Sequence, residues 1–135
     1  MEKNNKLYFR RYVLEDSEKD AHRIEAVKGF YDETLKSYKF RDVTQIALAY
    51  IDCDYYSSTS TVLEFLKDKL SHGTLIAFDD WDCYYSDPFR GQKLAFRQFR
   101  HKVKQHWHFE PFRAIRTGGM SFVCLEKVKI GREID

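Results

Sequence analysis

Ile46-Ala47-Leu48-Ala49-Tyr50-Ile51 runs into Asp52-Cys53-Asp54, and Thr74-Leu75-Ile76-Ala77-Phe78 runs into Asp79-Asp80. These two stretches decide the fold. Short, nearly continuous apolar runs are the pattern of parallel strands buried on both faces. The segment between them carries Val62, Leu63, Phe65, Leu66 and Leu70 as an apolar stripe at helical spacing. Ser57-Ser58-Thr59 offers N-caps, and Gly73 stands where a C′ glycine ends a helix. One crossover helix therefore joins two parallel strands, and their carboxyl ends share an edge. In open α/β sheets that edge is where ligands bind.

The flanking chain completes an α/β pattern. Residues 1–22 read as a loosely held lead-in. Residues 23–28 (RIEAVK) alternate like a strand, and Asp32 is placed to cap a short helix over Glu33–Tyr38. Beyond the second apolar run, residues 81–91 (WDCYYSDPFRG) form an aromatic, turn-rich loop. A second helix is predicted over Gln92–His106, with Ala95, Phe99 and Val103 on one face. Trp107–Arg113 reads as a strand whose Pro111 requires an edge position or a bulge. Thr117-Gly118-Gly119 is a turn, and Met120–Lys127 is the last strand, antiparallel to its predecessor. There is no internal repeat, and the whole of 1–135 reads as one domain.

Composition narrows the function. Net charge is 23 − 21 = +2, too small to imply a polyanionic partner. The second helix is basic (Arg90, Lys93, Arg97, Arg100, His101, Lys102, Lys104, His106), but its charges encircle it, as on a solvated face. Nucleic acid is therefore not the expected partner. The longest apolar run is too short for a membrane span, and no apolar leader follows the N-terminus. Cys53, Cys83 and Cys124 lack metal-ligand spacing and read as reduced thiols of a cytoplasmic protein. No phosphate loop, zinc motif or nucleophile–histidine arrangement is present.

What remains is acidic. One Asp at a strand end usually caps a helix or faces water. Three of them, Asp52, Asp79 and Asp80, at the ends of consecutive parallel strands favour a hard cation such as Mg²⁺. Asp54 is open between that site and a helix cap. The Asp52-Cys53-Asp54 triplet also resembles the DxD of some glycosyltransferases, a weak signal by itself.

The run from Asp52 to Thr59, with Leu63, Leu66, Leu70, Gly73 and Phe78-Asp79-Asp80-Trp81, resembles the macrocin O-methyltransferase family. Its members are class I, metal-dependent enzymes that use S-adenosylmethionine. Val27 to Leu35 is similar to the family's G-x-F-x-x-T-L segment, and Gly91, Ala95 and Phe99 echo its next helix. The likeness spans roughly residues 24–126 and implies a partial Rossmann-like class I methyltransferase fold. That is a mostly parallel sheet with an antiparallel C-terminal strand pair and helices on both faces.

The resemblance implies Asp52, Asp79 and Asp80 as metal ligands, Gly29-Phe30-Tyr31 beside the adenine of the cofactor, and Cys53 beside the cofactor. It implies O-methylation of a sugar or other vicinal-hydroxyl small molecule. The lysine base of the related catechol enzymes aligns with Tyr55, so no general base is carried over.

The family's glycine-rich cofactor loop finds no counterpart among the six glycines. The isolated chain is therefore expected to be the C-terminal part of the fold, inactive alone, with a bare strand edge that invites self-association or a complementing N-terminal chain. The alternatives are a non-catalytic remnant or interaction module of the same fold, and a DxD-type glycosyltransferase fragment.

Overall fold

The computed structural model describes residues 27–36, 42–115 and 118–127. A short helix α1 (Tyr31–Thr34) precedes β1 (Leu48–Ile51). Helix α2 (Tyr56–Leu66), extended by a 3-10 turn over Lys67–Lys69, leads to β2 (Leu75–Phe78). Helix α3 (Gly91–Val103), β3 (Trp107–Ile115) and β4 (Gly119–Glu126) follow. The four strands form one sheet in the order β1-β2-β4-β3. The β1–β2 pair is parallel, and β4 runs antiparallel to both β2 and β3. This is the α/β arrangement expected from the sequence, with the antiparallel pair at the far edge.

Local chemistry accounts for most boundaries. Gly73 has φ +91°, the left-handed conformation that ends the α2 segment and turns the chain into β2. Its N–H donates to the Cys124 carbonyl at 2.8 Å, tying the turn to β4. The Thr74 hydroxyl donates to the Ile46 carbonyl at 2.7 Å and fixes the start of the parallel pair. Around Pro111 the β3–β4 register slips between Pro111 and Ala114, so the proline is absorbed at a bulge in an edge strand.

Four details differ from the sequence reading. α2 starts at Tyr56 with Tyr55 at its N-cap and no side-chain cap, so Ser57-Ser58-Thr59 lie inside the helix rather than capping it. β1 alternates, with Ile51 buried on the face that meets the core and Leu48 and Tyr50 exposed on the other. Among residues 23–28 only Val27 and Lys28 are described, and they belong to no strand; the rest of that expected strand, like the 1–22 lead-in, lies outside the described residues. The first helix starts at Tyr31 rather than Glu33, with Phe30 at the N-cap, so Asp32 contributes charge to its first turn instead of capping it.

The core lies between the sheet and the two long helices, which pack against each other. Phe96 is its hub, with ring centroids 4.9 Å from Phe78, 4.6 Å from Phe122 and 5.3 Å from Phe109. Trp81 closes the cluster, 5.0 Å from Phe122 and 5.2 Å from Phe78. This packing anchors both sides of the Asp79-Asp80 pair.

Close backbone approach makes one glycine sensitive. A Cβ on Gly119 would lie 2.6 Å from the Ile115 carbonyl oxygen and 2.8 Å from that of Phe78. Neither oxygen can swing away as a side-chain tip would, so β4 must shift between its neighbours. Gly119→Ala is expected to cost about 1–3 kcal/mol, read as a lower midpoint in a urea melt. A wild-type midpoint would show that the strands yield freely there.

Candidate functional site

The parallel register sets Ile51 opposite Phe78, so both chains leave the sheet at the same level. The Asp79 N–H donates to the Ile51 carbonyl at 3.0 Å, extending the ladder one step beyond the strands. Asp52, Asp79 and Asp80 emerge together there. One carboxylate oxygen from each lies within 4.8 Å of the others.

The three acids have different surroundings. Asp52 is exposed, while Asp79 and Asp80 are half-buried. Asp79 Oδ1 accepts the Tyr50 hydroxyl. Asp80 Oδ1 faces the Cys83 thiol at 3.6 Å, and its backbone N–H donates to Gln92 Oε1 at 3.1 Å. Asp80 Oδ2 is buried, and among the described residues no donor reaches it. Burial, and then the charge of nearby Asp54, holds the Asp80 carboxyl above its usual range. Asp54 thus adds a fourth acid beside the cluster.

A buried carboxylate oxygen without a donor, among further carboxylates, is costly unless the group takes up a proton or a cation is bound. This donor set, all hard oxygen, fits a divalent ion of the Mg²⁺ type.

Gly29, Phe30 and Tyr31 are brought to the same end of the sheet. With Asp32 and with Ser57, Ser58 and Thr61 of α2, they line a cleft of about 430 Å³. Phe30 is exposed on its rim. The Tyr31 hydroxyl is held above its ordinary range by burial, then by neighbouring Cys53 and Asp52. Burial also raises the Cys53 thiol, which lies 3.6 Å from the Thr59 hydroxyl. All seven residues singled out from the sequence therefore occupy one end of the molecule.

The loop from Trp81 to Arg90 borders the acids. Tyr84, Tyr85 and Ser86 all have φ near +60° (61°, 57° and 61°), a left-handed turn no glycine announces. Arg90 stacks over the Tyr84 ring at 4.6 Å. Lys93 pairs with Asp82 at 2.8 Å and donates to the Ser86 carbonyl at 3.3 Å. Tyr85 at the tip is fully exposed. Elsewhere on α3, Lys102 pairs with Glu64 at 2.5 Å and Arg97 lies over Phe89 at 4.4 Å.

The macrocin-O-methyltransferase (TylF) family matches residues 2–118. The chain belongs to this family. No curated protein matches it. Among solved structures, the chain is similar to the apo form of CalS11, a TDP-rhamnose 3'-O-methyltransferase of calicheamicin biosynthesis. That match has 24% identity and a TM-score of 0.63, covering 87% of this chain and 51% of that one. A second CalS11 structure matches with a TM-score of 0.66 and 23% identity, covering 91% of this chain and 48% of that one. The O-methyltransferase NovP follows at 21% identity and a TM-score of 0.54, with 87% of this chain and 48% of that one covered. These likenesses establish the fold. The chain spans about half the length of the solved structures it matches.

Among the described residues no helix is long and apolar enough to cross a membrane. Gln92, Tyr50 and Cys83 were not singled out from the sequence as site residues. Only Gln92 carries a readable signal, because it is a polar residue in line with the buried stripe Ala95, Phe96, Phe99 and Val103.

Proposed function

We propose that this chain forms the metal- and acceptor-binding part of an S-adenosylmethionine-dependent O-methyltransferase acting on a sugar or another small molecule with vicinal hydroxyls. The observation that carries the reading is the convergence of Asp52, Asp79 and Asp80 at the ends of two parallel strands, with Asp80 Oδ2 buried and reached by no donor among the described residues. A divalent cation bound there supplies Lewis-acid activation of an acceptor hydroxyl and a template for its neighbour. Asp52, Asp79 and Asp80 are its ligands. Tyr50 orients the Asp79 carboxylate through its hydroxyl. Gly29, Phe30, Tyr31 and Cys53 border the cofactor, with the Phe30 and Tyr31 rings offering faces to its adenine.

Family membership favours this reading over a DxD-type glycosyltransferase. CalS11 is a TDP-rhamnose 3'-O-methyltransferase, and on that likeness a nucleotide sugar is the acceptor to try first. The chain acts as one domain of the family fold, in the cytoplasm, and completes its cofactor cradle by pairing at the β1 edge with a complementing chain or a second copy.

Calorimetry tests both ligands in one cell. Mg²⁺ is expected to titrate a single site at constant ionic strength. S-adenosylhomocysteine added next is expected to bind only weakly, because the chain contains no glycine-rich loop. Absence of any Mg²⁺ heat across the temperature range would overturn the metal assignment. Micromolar binding of S-adenosylhomocysteine would show that this chain supplies a sufficient cradle by itself.

A further inference from the structure

We propose that Gln92 is a positioning residue for the carboxylate cluster, an inference that rests on the metal-site reading above. Gln92 lies in the first turn of α3 and is only 1% exposed. Its side chain reaches both strand ends. Oε1 accepts the backbone N–H of Asp80 at 3.1 Å. Nε2 donates to the Ile51 carbonyl and to the Cys53 carbonyl, each at 3.1 Å. Those two carbonyls flank Asp52. One planar amide therefore grips the backbone on either side of Asp52 and the backbone of Asp80 at once.

The orientation of the amide follows from its partners. Two carbonyls demand donors and one N–H demands an acceptor, so both N–H groups and the oxygen are used. No other common side chain supplies two donors and an acceptor from one rigid plane at this length. This explains a polar side chain at a helical position where Ala95, Phe96, Phe99 and Val103 continue as buried, almost wholly apolar neighbours. Three carboxylates this close push the two strand ends apart in the metal-free state. The β1–β2 ladder resists that only up to the Asp79 N–H. Beyond it, Gln92 is the described link between the backbone of Asp52 and that of Asp80. It thereby sets the spacing of ligands from two strands, as groups behind a metal site do.

The test uses Mn²⁺, followed by electron paramagnetic resonance, on the full chain. Gln92→Leu and Gln92→Met remove the three hydrogen bonds while nearly keeping the volume. Each is expected to bind Mn²⁺ about 10–100-fold more weakly than wild type. Val103→Ala is the control. It lies eleven residues along α3, roughly 16 Å away, and opens a cavity in the same helix interface. It is expected to lower the melting temperature and to leave Mn²⁺ affinity at the wild-type value.

A wild type that binds no Mn²⁺ overturns the metal reading and this inference with it. A wild type that binds, with Gln92 variants that bind equally well, overturns this inference alone. So does a Val103→Ala variant that loses Mn²⁺ as steeply as they do, or failure of both Gln92 variants to fold. Either result assigns Gln92 to general stability.

Discussion

Asp79→Asn is expected to raise the melting temperature of the metal-free protein and to erase its response to Mg²⁺. Three carboxylate oxygens from different residues lie within 4.8 Å of one another, and Asp54 adds to the field at Asp80. Replacing one charge by an amide of the same shape relieves repulsion. It also keeps an oxygen to accept the Tyr50 hydroxyl. A gain of about 1 kcal/mol corresponds to roughly 3–5 °C for a chain of this size. Mg²⁺ at a hundredfold excess over its Kd stabilises the wild type by about 2.7 kcal/mol. The variant, with one ligand gone, is expected to lose that shift.

The pH dependence has a definite sign. The Asp80 carboxyl is raised in the folded state, so the folded protein holds that proton more tightly than the unfolded chain. Its contribution without metal is unfavourable above the raised value and disappears as pH falls toward the ordinary aspartate range. Mg²⁺ requires the deprotonated form, so its stabilisation fades over the same interval. Thermal melts of both proteins across Mg²⁺ and pH, at fixed ionic strength, measure all of this. An unresponsive wild type leaves only the non-catalytic module. An Asp79→Asn variant that responds fully to Mg²⁺ removes Asp79 from the ligand set.

The strands and the acids were legible because each obeys a local rule. Apolar runs ending in Asp52 and in Asp79-Asp80 need only the right-handed crossover to converge, and the α2 stripe supplies it. Pro111 announced its bulge because a ring without an N–H has few places in a sheet. Gln92 was hidden because its value lies in three backbone groups from two other elements, none adjacent in sequence. It could have been suspected only as a polar residue out of place on an apolar stripe. The left-handed run Tyr84–Ser86 was illegible for the opposite reason. Residues there carry no intrinsic preference for that backbone, and tertiary contacts hold it: Arg90 over Tyr84, and Lys93 on the Ser86 carbonyl. The exposed side of β1 was misread because continuous hydrophobicity states that a strand can be buried, not which of its faces this chain covers.

Phe96→Ala is expected to rank with the most destabilising side-chain truncations among the described residues. The ring is 1% exposed and meets Phe78, Trp81, Phe109 and Phe122 with centroids 4.6–5.8 Å away. Truncation leaves a cavity bounded by a helix, three strands and the loop after β2. Rigid rings on every side collapse poorly into such a space, which places the cost at about 3–5 kcal/mol. Against a total stability on the order of 5–15 kcal/mol, that is a large share. The melting temperature should fall by roughly 10–20 °C. Phe112→Ala is the matched control: the same deletion at a side chain 53% exposed should stay within about 0.5 kcal/mol of wild type. Phe78 and Trp81 bracket the Asp79-Asp80 pair, so the cavity also loosens the floor of the acid cluster. Mg²⁺ stabilisation should therefore shrink in Phe96→Ala while persisting in Phe112→Ala. Urea melts with and without Mg²⁺ provide both readings. A Phe96→Ala cost below about 1 kcal/mol would mean that the aromatic cluster is not the core that holds the site in place.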